Sequence, residues 1–334
     1  MIYFVIFLQY AIHFMCEQRY DFMENFYISL NAVLPMFIML FIGFAIRKLN
    51  ILKESFLPRL NKLVFTVFFP FLMFNNIFGS DFGSVFNPKL LIFAVAAVAV
   101  IYVLSVGFTL IAEKSNYSRG AMIQAIYRSN FVLMGMPIVE NIFGEGKLGM
   151  TAVLVTVIVP MYNILAVITL EVFRRNKIDL LKILKGIVTN PLIIGSVAGI
   201  LAVALNIKLP QTINSVVSDI AGAATPIALM ILGASVTFKS IKKSRRNLVI
   251  CILARLIAVP AICLTAASLL GFRGVDFVSL IGLFCSPCAV SSFTMSQQMG
   301  SDYELSGATV VFTSITACFT MFLWIFLFKQ LNFF

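Results

Sequence analysis

Ten apolar runs follow one another along this chain, near 27–46, 56–78, 89–112, 119–143, 147–173, 182–205, 214–237, 247–271, 276–299 and 304–328. About 20 apolar residues are enough for a helix to cross the hydrocarbon of a bilayer. In that solvent every backbone N–H and C=O must be satisfied inside the protein, so runs of this length span as helices. The links are short and leave no room for an inserted soluble domain. With 60% hydrophobic and 12% charged residues, the chain carries about half the charge of an ordinary globular domain. The fold class expected is all-α integral membrane.

The net charge of +11 suggests nucleic acid only until the charges are placed. Eighteen of the 25 Lys and Arg fall in or beside four links: first to second, third to fourth, fifth to sixth and seventh to eighth. The opposite links and the C-terminal tail hold five, Lys89, Lys147, Lys208, Arg273 and Lys329. Lys and Arg accumulate in cytoplasmic loops. The expectation is therefore that the basic side is cytoplasmic, with both termini non-cytoplasmic, and that there is no nucleic-acid partner.

Two runs hold residues that a spanning helix normally avoids. The stretch Arg119–Gly144, RGAMIQAIYRSNFVLMGMPIVENIFG, carries Asn130, Gly135 and Pro137 in its middle, flanked by Arg128 and Glu140. Proline removes a donor and clashes with the preceding turn, which predicts a kink or break near Pro137. The stretch Asp276–Gly300 repeats the pattern with SPCAVSS around Pro287. Broken backbone at membrane depth is tolerated only where protein covers it or it lines a cavity. Interrupted helices in matching halves point to a transport site.

The halves do match. Pro35, Gly43, Leu49, Asn50 and Ile51 recur as Pro191, Gly199, Leu205, Asn206 and Ile207, 156 residues on. Pro70 pairs with Pro226 and Gly144 with Gly300 at the same offset, which sets Asn130 and Phe131 on Ser286 and Pro287. Five spans per half is an odd number, so the halves are inverted. The domains expected are 23–175 and 176–334, two inverted five-helix repeats whose fourth and ninth helices cross, broken, at midplane. Residues 1–22 read as an upstream extension or an interfacial segment, and His13 within them is given no role.

At such a crossing the second half of each broken helix presents its N-terminus, with about half a positive charge. Two such ends favour an anion. The substrate-binding candidates are Asn130, Gly135, Pro137, Ser286, Pro287, Ser291 and Ser292; small hydroxyl residues also serve helix packing. Arg128 and Arg255 either draw an anion into an inner vestibule or snorkel to the headgroups. Glu140 and Asp219 are candidates for carrying a coupling proton if buried. Asn75, Asn76 and Asn163 follow prolines, and Asn190 precedes one. They suit sodium or simply fill kinks. Cys285 and Cys288 bracket Pro287 in an apolar span with no second pair, so no metal site is expected. No nucleophile elbow, zinc-binding helix or phosphate-binding loop occurs, which excludes the common enzyme classes, and no cofactor is expected beyond a coupling H+ or Na+.

The residues also resemble a known family. LNAVLPMFIMLFIGFAIRKLNIL at Leu30, LVFTVFFPFLMF at Leu63, SNFVLMGMPIVENIFG at Ser129, TNPLIIGSVAGI at Thr189 and TPIALMILGASV at Thr225 are similar to the auxin efflux carrier family. The resemblance implies ten helices in two inverted repeats with the fourth and ninth crossed. Its bacterial members are described as malate or malonate permeases and its plant members as auxin exporters. The long cytoplasmic loop of plant carriers is missing here, since Glu171–Leu180 is minimal. The function expected is secondary transport of small organic anions, with membrane lipid and a second copy of the chain as partners. The rivals are a transport-inactive sensor on the same fold and a small-solute channel.

Overall fold

The computed structural model describes residues 34–78, 87–144, 147–174, 180–235 and 244–334. The expectations for residues 1–22, for Arg175 and Lys177, and for Lys239, Lys242 and Lys243 lie outside them. Among the described residues the chain is helical, with one isolated antiparallel bridge, Ser129 to Cys288.

Among the described residues six helices are long and apolar enough to cross a membrane: α2 (Glu54–Phe78), α3 (Pro88–Ala112), α6 (Gly149–Arg174), α9 (Gln211–Ser235), α10 (Arg245–Leu269) and α13 (Tyr303–Gln330). Helix α1 occupies 34–48. The fourth run forms two helices, α4 (Asn116–Tyr127) and α5 (Phe131–Phe143). The sixth forms α7 (Leu180–Val188) and α8 (Pro191–Ala204), and the ninth α11 (Gly274–Cys285) and α12 (Val290–Gln298).

Local sequence sets several boundaries. Proline opens α3 and α8, where its missing N–H costs nothing. Asn87 and Asn190 cap them, accepting from Leu90 N at 3.3 Å and Leu192 N at 3.0 Å. Asn190, expected as a kink filler or ion ligand, is thus a cap. Asn50 and Asn206 adopt left-handed φ of 55° and 51°. Each closes its helix with the same three bonds: Leu49, Asn50 and Ile51 donate to Ala45, Arg47 and Ile46, while Leu205, Asn206 and Ile207 donate to Leu201, Val203 and Ala202. Every donor and acceptor in the second set lies 156 residues after its counterpart.

Glycines mark where backbones touch. A Cβ on Gly43 would lie 2.0 Å from Met230 O, and one on Gly233 2.0 Å from Leu40 O, so α1 and α9 meet backbone to backbone. Gly195 lies equally close to Pro70, which joins α8 to α2. At the other contact that matters here, a Cβ on Gly282 would stand 2.5 Å from Gly135 Cα, where α11 crosses α5. The ends of the bundle are tied by Asn87 to Asp276 and by Gly274 N to Phe333 O on one side. On the other, Asn247 donates to Glu113, and Asp302 N donates to Tyr117 O.

Candidate functional site

The break in the fourth run lies at Arg128–Asn130, and Pro137 sits inside the continuous helix α5. Of the kink or break expected near Pro137, the break lies about two turns earlier, and the reason is where the freed groups go. Proline leaves the carbonyl of Leu133 without its helical partner, and Leu133 lines a cavity. At Ser129 and Asn130 the non-helical backbone instead pairs with the other break: Ser129 bridges Cys288, and Asn130 N donates to Pro287 O at 2.8 Å. Each interruption satisfies the other, as hydrocarbon requires.

The register of the two breaks differs from the 156-residue repeat. Helices α4 and α11 end at Tyr127 and Cys285, and α5 and α12 start at Phe131 and Val290. The residue in the place of Asn130 is therefore Ala289, the N-cap of α12, and not Ser286.

A cavity of about 60 Å³ sits at the crossing. Asn130, Phe131, Val132 and Leu133 open it from the start of α5, and Ala289, Val290 and Ser291 from the start of α12. Both helix N-termini thus face one hollow. The wall opposite comes from α2 (Phe69, Leu72, Met73, Asn76), α6 (Val159, Tyr162, Asn163) and Thr225 of α9.

Arg128 is the one charged residue among those lining residues, and it is 2% exposed. Its guanidinium donates to Gln124 Oε1 at 3.1 Å, Met295 Sδ at 2.9 Å, Asn163 Oδ1 at 2.5 Å and Ser291 Oγ at 2.8 Å. Every one of these partners is neutral. A buried cation with no carboxylate beside it is costly. The positive potential of the two helix starts adds to it. Arg255 is buried completely and bonds only backbone carbonyls at the crossing. Snorkelling, expected as an alternative for both arginines, therefore does not occur.

The structure separates the other candidates. Asn130, Ser291, Arg128 and Asn163 come together on the cavity. Gly135 is the crossing contact, Ser286 Oγ donates back to Gly282 O, Pro287 O accepts from Asn130 N, and none of them lines the cavity. Pro137 and Ser292 also lie off it. Glu140 and Asp219 are exposed, so neither is a buried carboxyl at the crossing. Asn75 is half-buried and off the cavity, while Asn76 lines it. Asn163 Oδ1, a candidate for sodium, accepts from the Arg128 guanidinium. Sequence reasoning missed Gln124, Tyr162 and Met295; the signal available was Gln124 one turn before Arg128 on the same helix face.

Polar residues continue from the cavity along α12. Gln124 Nε2 donates to Ser296 Oγ at 3.3 Å, Ser296 meets Ser306 at 2.7 Å, and Asn61 Nδ2 donates to Gln297 Oε1 at 2.6 Å. Asn61 Oδ1 and Thr294 Oγ1 are buried with no hydrogen-bond partner among the described residues. A wider groove of about 580 Å³ between α3 and α10 offers Ser105 as its one hydroxyl, too little for a carboxylate.

The sequence compares with known proteins in keeping with this geometry. It is 21% identical over 301 residues to an "Uncharacterized transporter" of Methanothermobacter thermautotrophicus, covering 89% of this chain and 97% of that one. A second "Uncharacterized transporter", from Methanocaldococcus jannaschii, is 22% identical over 307 residues, 89% of this chain and 98% of the relative. A protein of Rhizobium meliloti named "Putative malonate transporter" is 28% identical over 142 residues, 42% of this chain and 44% of its own. Residues 28–325 match the family described as Membrane transport protein. A membrane-spanning bundle with an electropositive cavity between two broken helices thus belongs to the membrane transport protein family, the auxin efflux carrier-like permeases.

Proposed function

We propose that the chain is a secondary carrier of small organic anions, with the carboxylate held at the crossing by Arg128 and the starts of α5 and α12. The observation that carries this reading is the buried guanidinium of Arg128, whose partners on the cavity are all neutral. An anion there gains a charge-assisted, bidentate partner and faces two helix starts. Asn130 and Ser291 add directed polar contact to the bound carboxylate. Malonate, which names the Rhizobium relative's cargo, is the first anion to test.

Two inverted repeats fit the bonding pattern that recurs 156 residues on at Asn50 and Asn206. They fit equally the placement of Phe69 and Thr225, 156 residues apart, in the lining of one cavity. In such a fold α1, α2, α8 and α9 form one group and the crossed helices with their neighbours the other. Movement of one group against the other then exposes the site to either side in turn. The basic links support a cytoplasmic side at the start of α4 and the end of α12, with the chain in a bacterial inner membrane and both termini outside.

The test is uptake of radiolabelled malonate, malate and a monocarboxylate by purified protein in liposomes. Saturable uptake with counterflow is expected, lowered in Asn130→Ala at equal protein content. Conductance without counterflow identifies a channel, and binding without flux a sensor.

A further inference from the structure

The crossing has two C-terminal ends as well as two N-terminal ones, and a single residue meets both. Arg255 lies on a widened turn, Ala254–Ala258, in the middle of α10. The neighbouring carbonyl of Leu256 accepts from Trp324 Nε1 at 3.0 Å, so the distorted turn is held from α13. Arg255 Nε donates to Ser286 O at 2.8 Å. Nη1 donates to Ile126 O and Tyr127 O, each at 3.2 Å, at the end of α4. Nη2 donates to Leu283 O at 3.0 Å and Phe284 O at 3.1 Å, at the end of α11.

Those five bonds use all five N–H donors that a guanidinium has. The electrostatics close as well. Each helix C-terminus carries about half a negative charge, so one guanidinium offsets both ends. What remains uncompensated is the positive set, Arg128 with the starts of α5 and α12, and that set lines the cavity.

Broken-helix carbonyls at membrane depth are also the donors by which carriers of this general architecture hold a coupling sodium ion. Here the geometry points to Arg255 as a resident cation: its guanidinium fills the carbonyl cage at the two half-helix C-termini that a coupling metal ion would require. Anion movement through this crossing is then independent of Na+. Arg255 acts as a positioning residue, holding both C-terminal ends so that both N-terminal ends stay aimed at the cavity. The cage itself stands on the hydrogen bonds alone; only the statement about Na+ and transport rests on the carrier reading.

The experiment compares full-length wild type, Arg255→Ala and Arg255→Lys, purified in detergent and in liposomes. Melting temperatures are read in sodium, choline and millimolar guanidinium chloride, and radiolabelled malonate uptake in sodium and choline media. Wild type is expected to melt and transport alike in all of these. Arg255→Ala loses about 10 °C, because five buried carbonyls at two helix C-termini lose their donors at once. Guanidinium, and not choline, restores it. Arg255→Lys, with three donors for five carbonyls, falls between the two and carries the test if the alanine variant cannot be purified. Sodium-stimulated uptake by wild type, an alanine variant that melts like wild type, or rescue that choline matches would each overturn the assignment. Guanidinium rescue with no uptake of any anion would instead leave the cage in place and remove the carrier reading.

Discussion

The two arms of the crossing are built from opposite chemistry. Toward the end bearing Asp276 and Gly274, α5 and α11 bury Phe131, Met134, Ile138, Phe277, Leu280, Ile281 and Phe284 and touch at Gly135 and Gly282. Toward the basic end, α4 and α12 bury Gln124, Arg128, Ser292, Thr294 and Ser296, with Asn61 of α2 against Gln297. The first arm is held by close packing, which has one best arrangement and resists change. The second is held by hydrogen bonds and leaves polar atoms without partners, and such groups favour water or ligand over dry contact. The difference teaches that the two arms resist change unequally, and under the proposed carrier function a polar solute would follow the second.

The comparison is broken most sharply at Gly282. Alanine there places a carbon 2.5 Å from backbone of α5, which cannot yield as a side chain can. Gly282→Ala is expected to cost about 3 kcal/mol and lower the melting temperature by several degrees. Gly107→Ala, whose Cβ meets nothing within 4 Å, serves as the neutral control. Equal melting of the two variants would mean that the apolar arm is not the tight one.

Next in size comes Arg128 in the polar arm. Arg128→Gln removes a buried charge and should abolish most malonate binding, by about 2 kcal/mol or more, some thirtyfold. Because the arginine has only neutral partners, melting of the ligand-free protein is expected to hold or rise. Loss of folding together with binding would make Arg128 a scaffold residue.

A smaller effect separates dry from wet. Thr294→Val deletes an unpartnered buried hydroxyl, and replacing such a group by an apolar one of the same shape should raise melting by about 2 °C. A fall would show that water already bonds the hydroxyl. The smallest effect lies at the basic end. Burial pushes the Glu113 carboxyl up, but bonds from Ser115 N–H and Asn247 outweigh it and hold the group below its usual 4.5. A carboxyl lowered on folding stabilises above its unfolded value. The contribution is therefore present above pH 4.5 and lost as pH falls through the lower folded value. Melting of wild type should drop slightly faster in acid than that of Glu113→Gln; parallel curves would remove Glu113 from the tie to α10.

Much of this was legible in the residues. The apolar runs fixed spanning helices, because hydrocarbon admits no other use of twenty such residues. Leu49-Asn50-Ile51 and its copy announced the repeat, since asparagine tolerates the left-handed cap. Asn130 and Arg128 stood out as polar groups in apolar surroundings. Pro137 left kink and break open, because a proline says that one carbonyl is freed and not whether the helix ends. Ser286 and Pro287 misled because a constant offset cannot register the few residues by which the second break slips.

By itself, then, the sequence determined that the chain spans a membrane, which end is basic, and that two spans are interrupted. Those properties follow from composition and short-range periodicity. Only the tertiary structure decided the division of labour between two arginines that look alike in sequence. Arg128 faces a cavity among neutral partners, and Arg255 closes five carbonyls. The role of a buried cation is set by what long-range packing brings within about 3 Å of it, and neighbours in sequence carry no record of that.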